Sequence, residues 1–144
     1  MKTSLKIITV LSFFALFSCS SGIKNFTEVP RLPTIFPDYS GIIIPPNIAP
    51  LNFKINEPGS EFEARIYTEK EKPVVVHSNH QNIEIGIDEW HKLLEQGAGS
   101  KLYVDVFVKQ NNGGWQKFQT IEKENSPEKI DSHLAYRLIN TGYV

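Results

Sequence analysis

Only one cysteine, Cys19, occurs in these 144 residues. A chain with a single Cys cannot staple itself with a disulfide, so its folded part must stand on an apolar core. It also has neither a Cys-x-x-Cys redox pair nor a cysteine-built zinc site. Charge of one sign is not in excess either: 15 basic side chains face 16 acidic ones, a net charge of −1. No basic stripe interleaves with aromatics, which removes nucleic acid from the expected partners. No apolar run approaches the roughly twenty residues that a membrane-spanning helix needs. Gly97-Ala98-Gly99-Ser100 has neither the spacing nor the Lys of a phosphate cradle. No nucleophile, base and orienting group form a set, so neither an enzyme activity nor a cofactor is expected.

The first residues carry the clearest signal. Lys2 and Lys6 precede an apolar stretch from Ile7 to Phe17, which suits the core of an export signal. It closes on Leu16-Phe17-Ser18-Cys19, which resembles the bacterial lipoprotein signal. There a Leu and a small residue precede a Cys that is lipidated and becomes the new amino terminus. Phe17 is bulkier than that pattern prefers. Lipidation would account for an otherwise unpaired Cys in an exported chain. One acyl chain anchors only marginally, at about 0.8 kcal/mol per buried methylene, and the several chains of this modification anchor stably. Residues 1–18 are thus expected to be a signal peptide, with Cys19 holding the protein to a membrane of the cell envelope, facing the periplasm. The 15 basic side chains less Lys2 and Lys6 leave 13 against 16 acidic ones, one domain's worth of mildly acidic chain.

Six of the nine prolines lie between Pro30 and Pro50. Proline-rich chain stays extended at roughly 3.1 Å per residue, so residues 19–40 are expected to be a tether, loose from 24 to 40. The Ile42-Ile43-Ile44 run is placed along a sheet edge, ended by Pro45 and Pro46, which lack the amide that a ladder needs.

From Leu51 onward the apolar residues recur every second position: Leu51, Phe53, Ile55; Phe62, Ala64, Ile66; Val74 to Val76; Ile83, Ile85, Ile87; Leu102, Val104, Val106, Val108. Each predicts a half-buried strand. Asp88 to Gly97 departs from this, with apolar residues at helical spacing, Asp88 as N-cap and Gly97 as stop. Asn111-Asn112-Gly113-Gly114 predicts a tight hairpin into a return strand from Trp115 to Ile121. The polar residues 122–130 are expected to be a loop. Short strands at this spacing predict an all-β, antiparallel β-sandwich over 41–131 with one short helix. The stretch from Leu94 through Gly97 to Tyr103 resembles the late strands of immunoglobulin-like and fibronectin type III domains, which would make Tyr103 a tyrosine-corner residue.

"FPDYSGIIIPPNIAPLNFKI" (36–55) and "SHLAYRLINTGYV" (132–144) resemble the amino-terminal Ig-like module of exported bacterial TolB-like β-propeller proteins. Some of those carry a Cys-x-x-Cys-His motif and have been labelled cytochrome c biosynthesis proteins. No second Cys exists here, so heme attachment is not carried over. The resemblance implies a non-catalytic module that positions or assists a propeller, or presents an interaction surface to an envelope protein. It makes 132–144 a connector towards a propeller.

Candidate binding residues follow from the strand pattern. Tyr103, Asp105 and Phe107 point away from the valines of their strand, so Asp105 reads either as solvated or as a polar anchor in an aromatic patch. Trp90 and Trp115 stand at loop ends, where indoles either stack on sugars or close a core; a solute- or glycan-binding lipoprotein is the alternative function. His77 and His80 form a weak metal-ligand pair in what reads as a polar loop. Glu61 and Glu63 share a strand face and read as solvated.

Overall fold

The structure is a computed structural model that describes residues 22–39, 41–131 and 133. The leader, Cys19 and nearly all of the 132–144 connector lie outside the described residues. Two β-sheets with a short helix beside them make an all-β sandwich.

Strict alternation builds the larger sheet. Strand β5 (Glu61–Thr68) turns Phe62, Ala64 and Ile66 inward and pairs antiparallel with β8 (Lys101–Lys109), from Glu61 opposite Lys109 to Thr68 opposite Leu102. Beyond β5 lies β6 (Val74–Ser78), also antiparallel. On the other side of β8 the hairpin returns. Gly113 takes a φ of +86°, a conformation that a side chain disfavours, and the Asn112 Oδ1 accepts from the Gly114 amide at 3.1 Å. The return strand is not continuous. It forms β9 (Trp115–Phe118) and β10 (Ile121–Asn125), broken at Gln119-Thr120. Gly59 is held by close approach, since a Cβ there would run into Val108 and the Lys109 carbonyl.

The proline-rich lead-in is part of the body rather than a loose tether. Strand β1 (Thr27–Val29) lies parallel to β9, and β3 (Ile43–Ile44) lies parallel to β10 at the same edge. Between them β2 (Ile35–Phe36) pairs with β4 (Phe53–Ile55), which pairs with β7 (Asn82–Ile83) to form the smaller sheet. Residues 27 to 55 thus alternate between the two sheets. Prolines 30, 33, 37, 45, 46 and 50 stand outside these short strands, where no ladder amide is required. The edge placement of Ile43-Ile44 is as expected. Strictly antiparallel pairing is not, because β1 and β3 enter alongside β9 and β10 in the same direction.

The small sheet is too short to cover the inner face of the large one, and α1 (Ile87–Gln96) contributes the rest of the cover. Trp90, Leu93 and Leu94, at i, i+3 and i+4, join the core cluster with Ile55, Ile66, Leu102 and Val106. The helix starts one residue before Asp88. Gly86 holds the N-cap position without a side-chain bond, while Asp88 and Glu89 sit in the first turn, where carboxylates complement the helix dipole. Gly97 ends it as expected. The strand expected over Ile83, Ile85 and Ile87 therefore stops at Ile83.

Strand β10 replaces part of the loop expected at 122–130. Its inward residues after Ile121 are Lys123 and Asn125, both buried, which disguises the alternation. Asn125 Nδ2 donates to the Leu94 carbonyl at 2.8 Å. Lys123 is 7 % exposed and its ammonium donates to the Tyr39 carbonyl. The Lys123 side chain lines a cavity of about 20 Å³ with Phe53, Trp90, Leu102 and Val104, about the room of one water. Burial pushes the Lys123 pKa below its ordinary value, with Asp38 opposing.

A second polar lock holds the lead-in. Glu57 takes both Arg31 nitrogens, at 2.7 and 2.6 Å, and the Thr34 amide at 2.8 Å. The Arg31 bond, more than any other contact, holds the Glu57 carboxyl below its usual range; burial opposes and the Thr34 amide assists.

Two predictions follow from these buried charges. A folded pKa below the unfolded one means that the unfolded chain holds the Lys123 proton more tightly, so stability should rise as pH climbs through the folded value towards about 10.4. Lys123→Met, with an unbranched apolar side chain, should be at least as stable as the parent at pH 7, and its advantage should shrink in alkaline urea titrations. Glu57 has the opposite sign. Its contribution is present above the unfolded pKa of about 4.3 and is lost as pH falls through the depressed folded value. Glu57→Gln should cost about 1–3 kcal/mol at neutral pH and flatten the acid limb of the stability curve.

Candidate functional site

The outward side chains of β5, β8 and their neighbours form a connected group of polar and aromatic residues. Period two puts Glu63, Arg65 and Tyr67 of β5 on the face that bears Tyr103, Asp105 and Phe107 of β8. The ladder sets Glu63 opposite Phe107, Arg65 opposite Asp105 and Tyr67 opposite Tyr103, with Lys117 of β9 beyond Phe107.

Glu63 is 0 % exposed, against the expectation of a solvated carboxylate. Its Oε1 meets Arg65 Nε at 2.5 Å and its Oε2 meets His77 Nδ1 at 2.9 Å. Arg65 then lays its guanidinium 4.3 Å above the Phe107 ring. Phe26 meets Phe107 in a T-shaped arrangement, with centroids 5.5 Å apart. Such cation–π and edge-to-face contacts suit the charge distribution of the ring. Arg65 Nη2 also reaches the Ile23 carbonyl at 3.4 Å. Residues 22–26 therefore cross this face, running from β1 over Phe107 to Arg65.

Asp105 is a bound anchor, 7 % exposed, and not a solvated residue. Thr120 Oγ1 donates to its Oδ1 at 2.6 Å and the Lys117 ammonium stands 3.1 Å from its Oδ2. The break between β9 and β10 is what brings Thr120 round to this carboxylate. Burial first, then the nearby Asp105 carboxylate, push the Tyr67 pKa up. Tyr67 stacks on Tyr103 with centroids 5.4 Å apart and planes 26° from parallel. The Tyr103 hydroxyl donates to Glu69 Oε1 at 3.0 Å, and that bond chiefly raises its pKa. A tyrosine corner bonds to backbone, so Tyr103 does not play that part here.

Tyr103, Asp105 and Phe107 are thus brought together, and Trp115 stands on the same face by register, opposite Lys109. Trp90 is not part of the group. It is 1 % exposed and donates from Nε1 to the Ile48 carbonyl at 3.1 Å, so it closes the core and offers no ring to a sugar. His77 lies in strand β6 rather than in a loop and is engaged with Glu63, while His80 follows in a turn with its amide on Ser78 Oγ. Among the described residues, no three His, Cys, Asp or Glu side chains are grouped to hold a metal ion. Phe26, Arg65, Tyr67, Lys117 and Thr120 are members that sequence reasoning missed, and Glu63 was read as solvated. Glu63 and Arg65 alternate with Phe62 and Ala64 in the ordinary manner of a solvated face, and only the residues crossing above them make the difference.

No family model matches the chain, and no curated protein or solved structure matches it.

Because Asp105 is one of the causes that raise Tyr67, and burial is the larger one, Asp105→Asn should move the Tyr67 phenol part of the way back towards its ordinary value. An alkaline ultraviolet difference titration reads this directly. An unchanged or higher Tyr67 midpoint would refute the arrangement. The same substitution should cost about 1–3 kcal/mol in urea unfolding, through the weakened bonds to Thr120 and Lys117.

Proposed function

We propose that this chain is a non-catalytic lipoprotein module of the cell envelope. Its β-sandwich is fastened to a bilayer through lipid on Cys19 and presents an interaction surface on the periplasmic side. The observation that carries this assignment is the leader itself: Lys2 and Lys6, the apolar stretch to Phe17, and Leu16-Phe17-Ser18 directly before the only cysteine. Among the described residues no helix is long and apolar enough to cross a membrane. Lipid on Cys19 is the attachment proposed.

The candidate site has the make-up of a contact face. Glu63 and Asp105 are each held against cations, and Tyr67, Tyr103 and Trp115 leave ring surface at the edge of the same patch. Paired carboxylates and partly exposed rings suit a contact surface. The resemblance to the amino-terminal module of TolB-like proteins supports a β-propeller or another envelope protein as the neighbour.

Cys19→Ala tests the anchor. The variant should keep the parent's circular dichroism and thermal unfolding and leave the membrane fraction for the soluble one. Retention of the variant on membranes after a high-salt wash would overturn the proposal.

A further inference from the structure

We propose that the outer face of the large sheet, where β5 meets β6, is the surface that lies against the bilayer. This rests on the lipid anchor proposed above and adds which side of the body faces the membrane. The described chain begins at Gly22, which is exposed but lies beside this face: a Cβ there would stand 3.7 Å from Arg65 Nη2. The Ile23 carbonyl accepts from the same guanidinium, and Phe26 is packed edge-on against Phe107. The start of the described chain is thus pinned over β5, opposite Val75 of β6 in the Arg65 row.

Ser20 and Ser21 are all that separate Cys19 from Gly22. Whatever conformation they take, three Cα–Cα steps span at most about 10 Å. A lipid on Cys19 would therefore draw this face to the headgroups; the prolines lie downstream of the pinned segment and contribute no reach. The surface there has the chemistry that a headgroup layer accepts. Val75 is 45 % exposed, Lys24 is exposed next in the chain to Ile23, and His77 is exposed with its Nδ1 against Glu63. Basic side chains held within a Debye length of anionic headgroups are attracted to them, and an exposed valine can enter the interface. The opposite face of the sandwich, with Lys54 outward between the inward Phe53 and Ile55 of β4, is left free for a protein neighbour. About 10 Å separates two packed sheets, so the two outer faces differ clearly in height above the bilayer.

The single cysteine makes the test clean, because lipidation consumes Cys19 and an introduced thiol is the only one left to label. Lipidated full-length Val75→Cys, Lys24→Cys and Lys54→Cys would each be labelled with a fluorophore. They would then be reconstituted in vesicles of zwitterionic and anionic phospholipid carrying a nitroxide on the headgroup. Labels at positions 75 and 24 should lose most of their fluorescence, while the label at 54 keeps it. Equal quenching at all three positions, or stronger quenching at 54, would overturn the orientation while leaving the anchor standing. Failure of the lipidated parent to float with the vesicles would overturn the anchor and the orientation together.

Discussion

Eight consecutive residue pairs join Glu61–Thr68 to Lys101–Lys109, and side chains are buried on both faces of that ladder. On the inner face the demand is simple, and Phe62, Ile66, Val104 and Val106 meet it with apolar contact. On the outer face Glu63, Asp105 and Phe107 are buried too. A buried carboxylate is tolerated only when paired and hydrogen-bonded. Arg65 from the same strand binds Glu63 with His77 of the next strand close by, while Lys117, before the break at 119–120, and Thr120 within it hold Asp105. The segment from Gly22 to Phe26 completes the cover.

The prolines have a related role. A strand that continued unbroken from residue 27 to 55 would belong to one sheet. Broken by prolines, the same chain contributes Thr27–Val29 and Ile43–Ile44 to the large sheet and Ile35–Phe36 and Phe53–Ile55 to the small one. The lead-in sews the two layers together along one edge, and Arg31 with Glu57 fastens it midway. That edge is also where β1 and β3 shield the amides of β9 and β10, which would otherwise offer a template for pairing with another chain.

If Cys19 carries lipid, a domain whose first described residues lie across one outer face has little freedom to stand off from a bilayer. Under the proposed anchor, one sheet would face lipid and the other would face the envelope neighbour.

The all-β class, the helix at 87–96, its stop at Gly97, the hairpin at Asn112-Gly113 and the edge strand at Ile43-Ile44 were determined locally. Each follows from period-two or helical spacing and from residues whose backbone preferences are strong. The outward set of Tyr103, Asp105 and Phe107 was legible for the same reason. Only the tertiary structure decided that Lys123 and Asn125 face inward, that Trp90 is core, that Glu63 and Asp105 are buried and paired, and that residues 22–36 belong to the body. Burial of a polar side chain depends on which distant segment comes to lie over it: Tyr39 for Lys123, Ile23 and Phe26 for the Glu63–Arg65–Phe107 group. Alternation along one strand records that a face exists and not what will cover it.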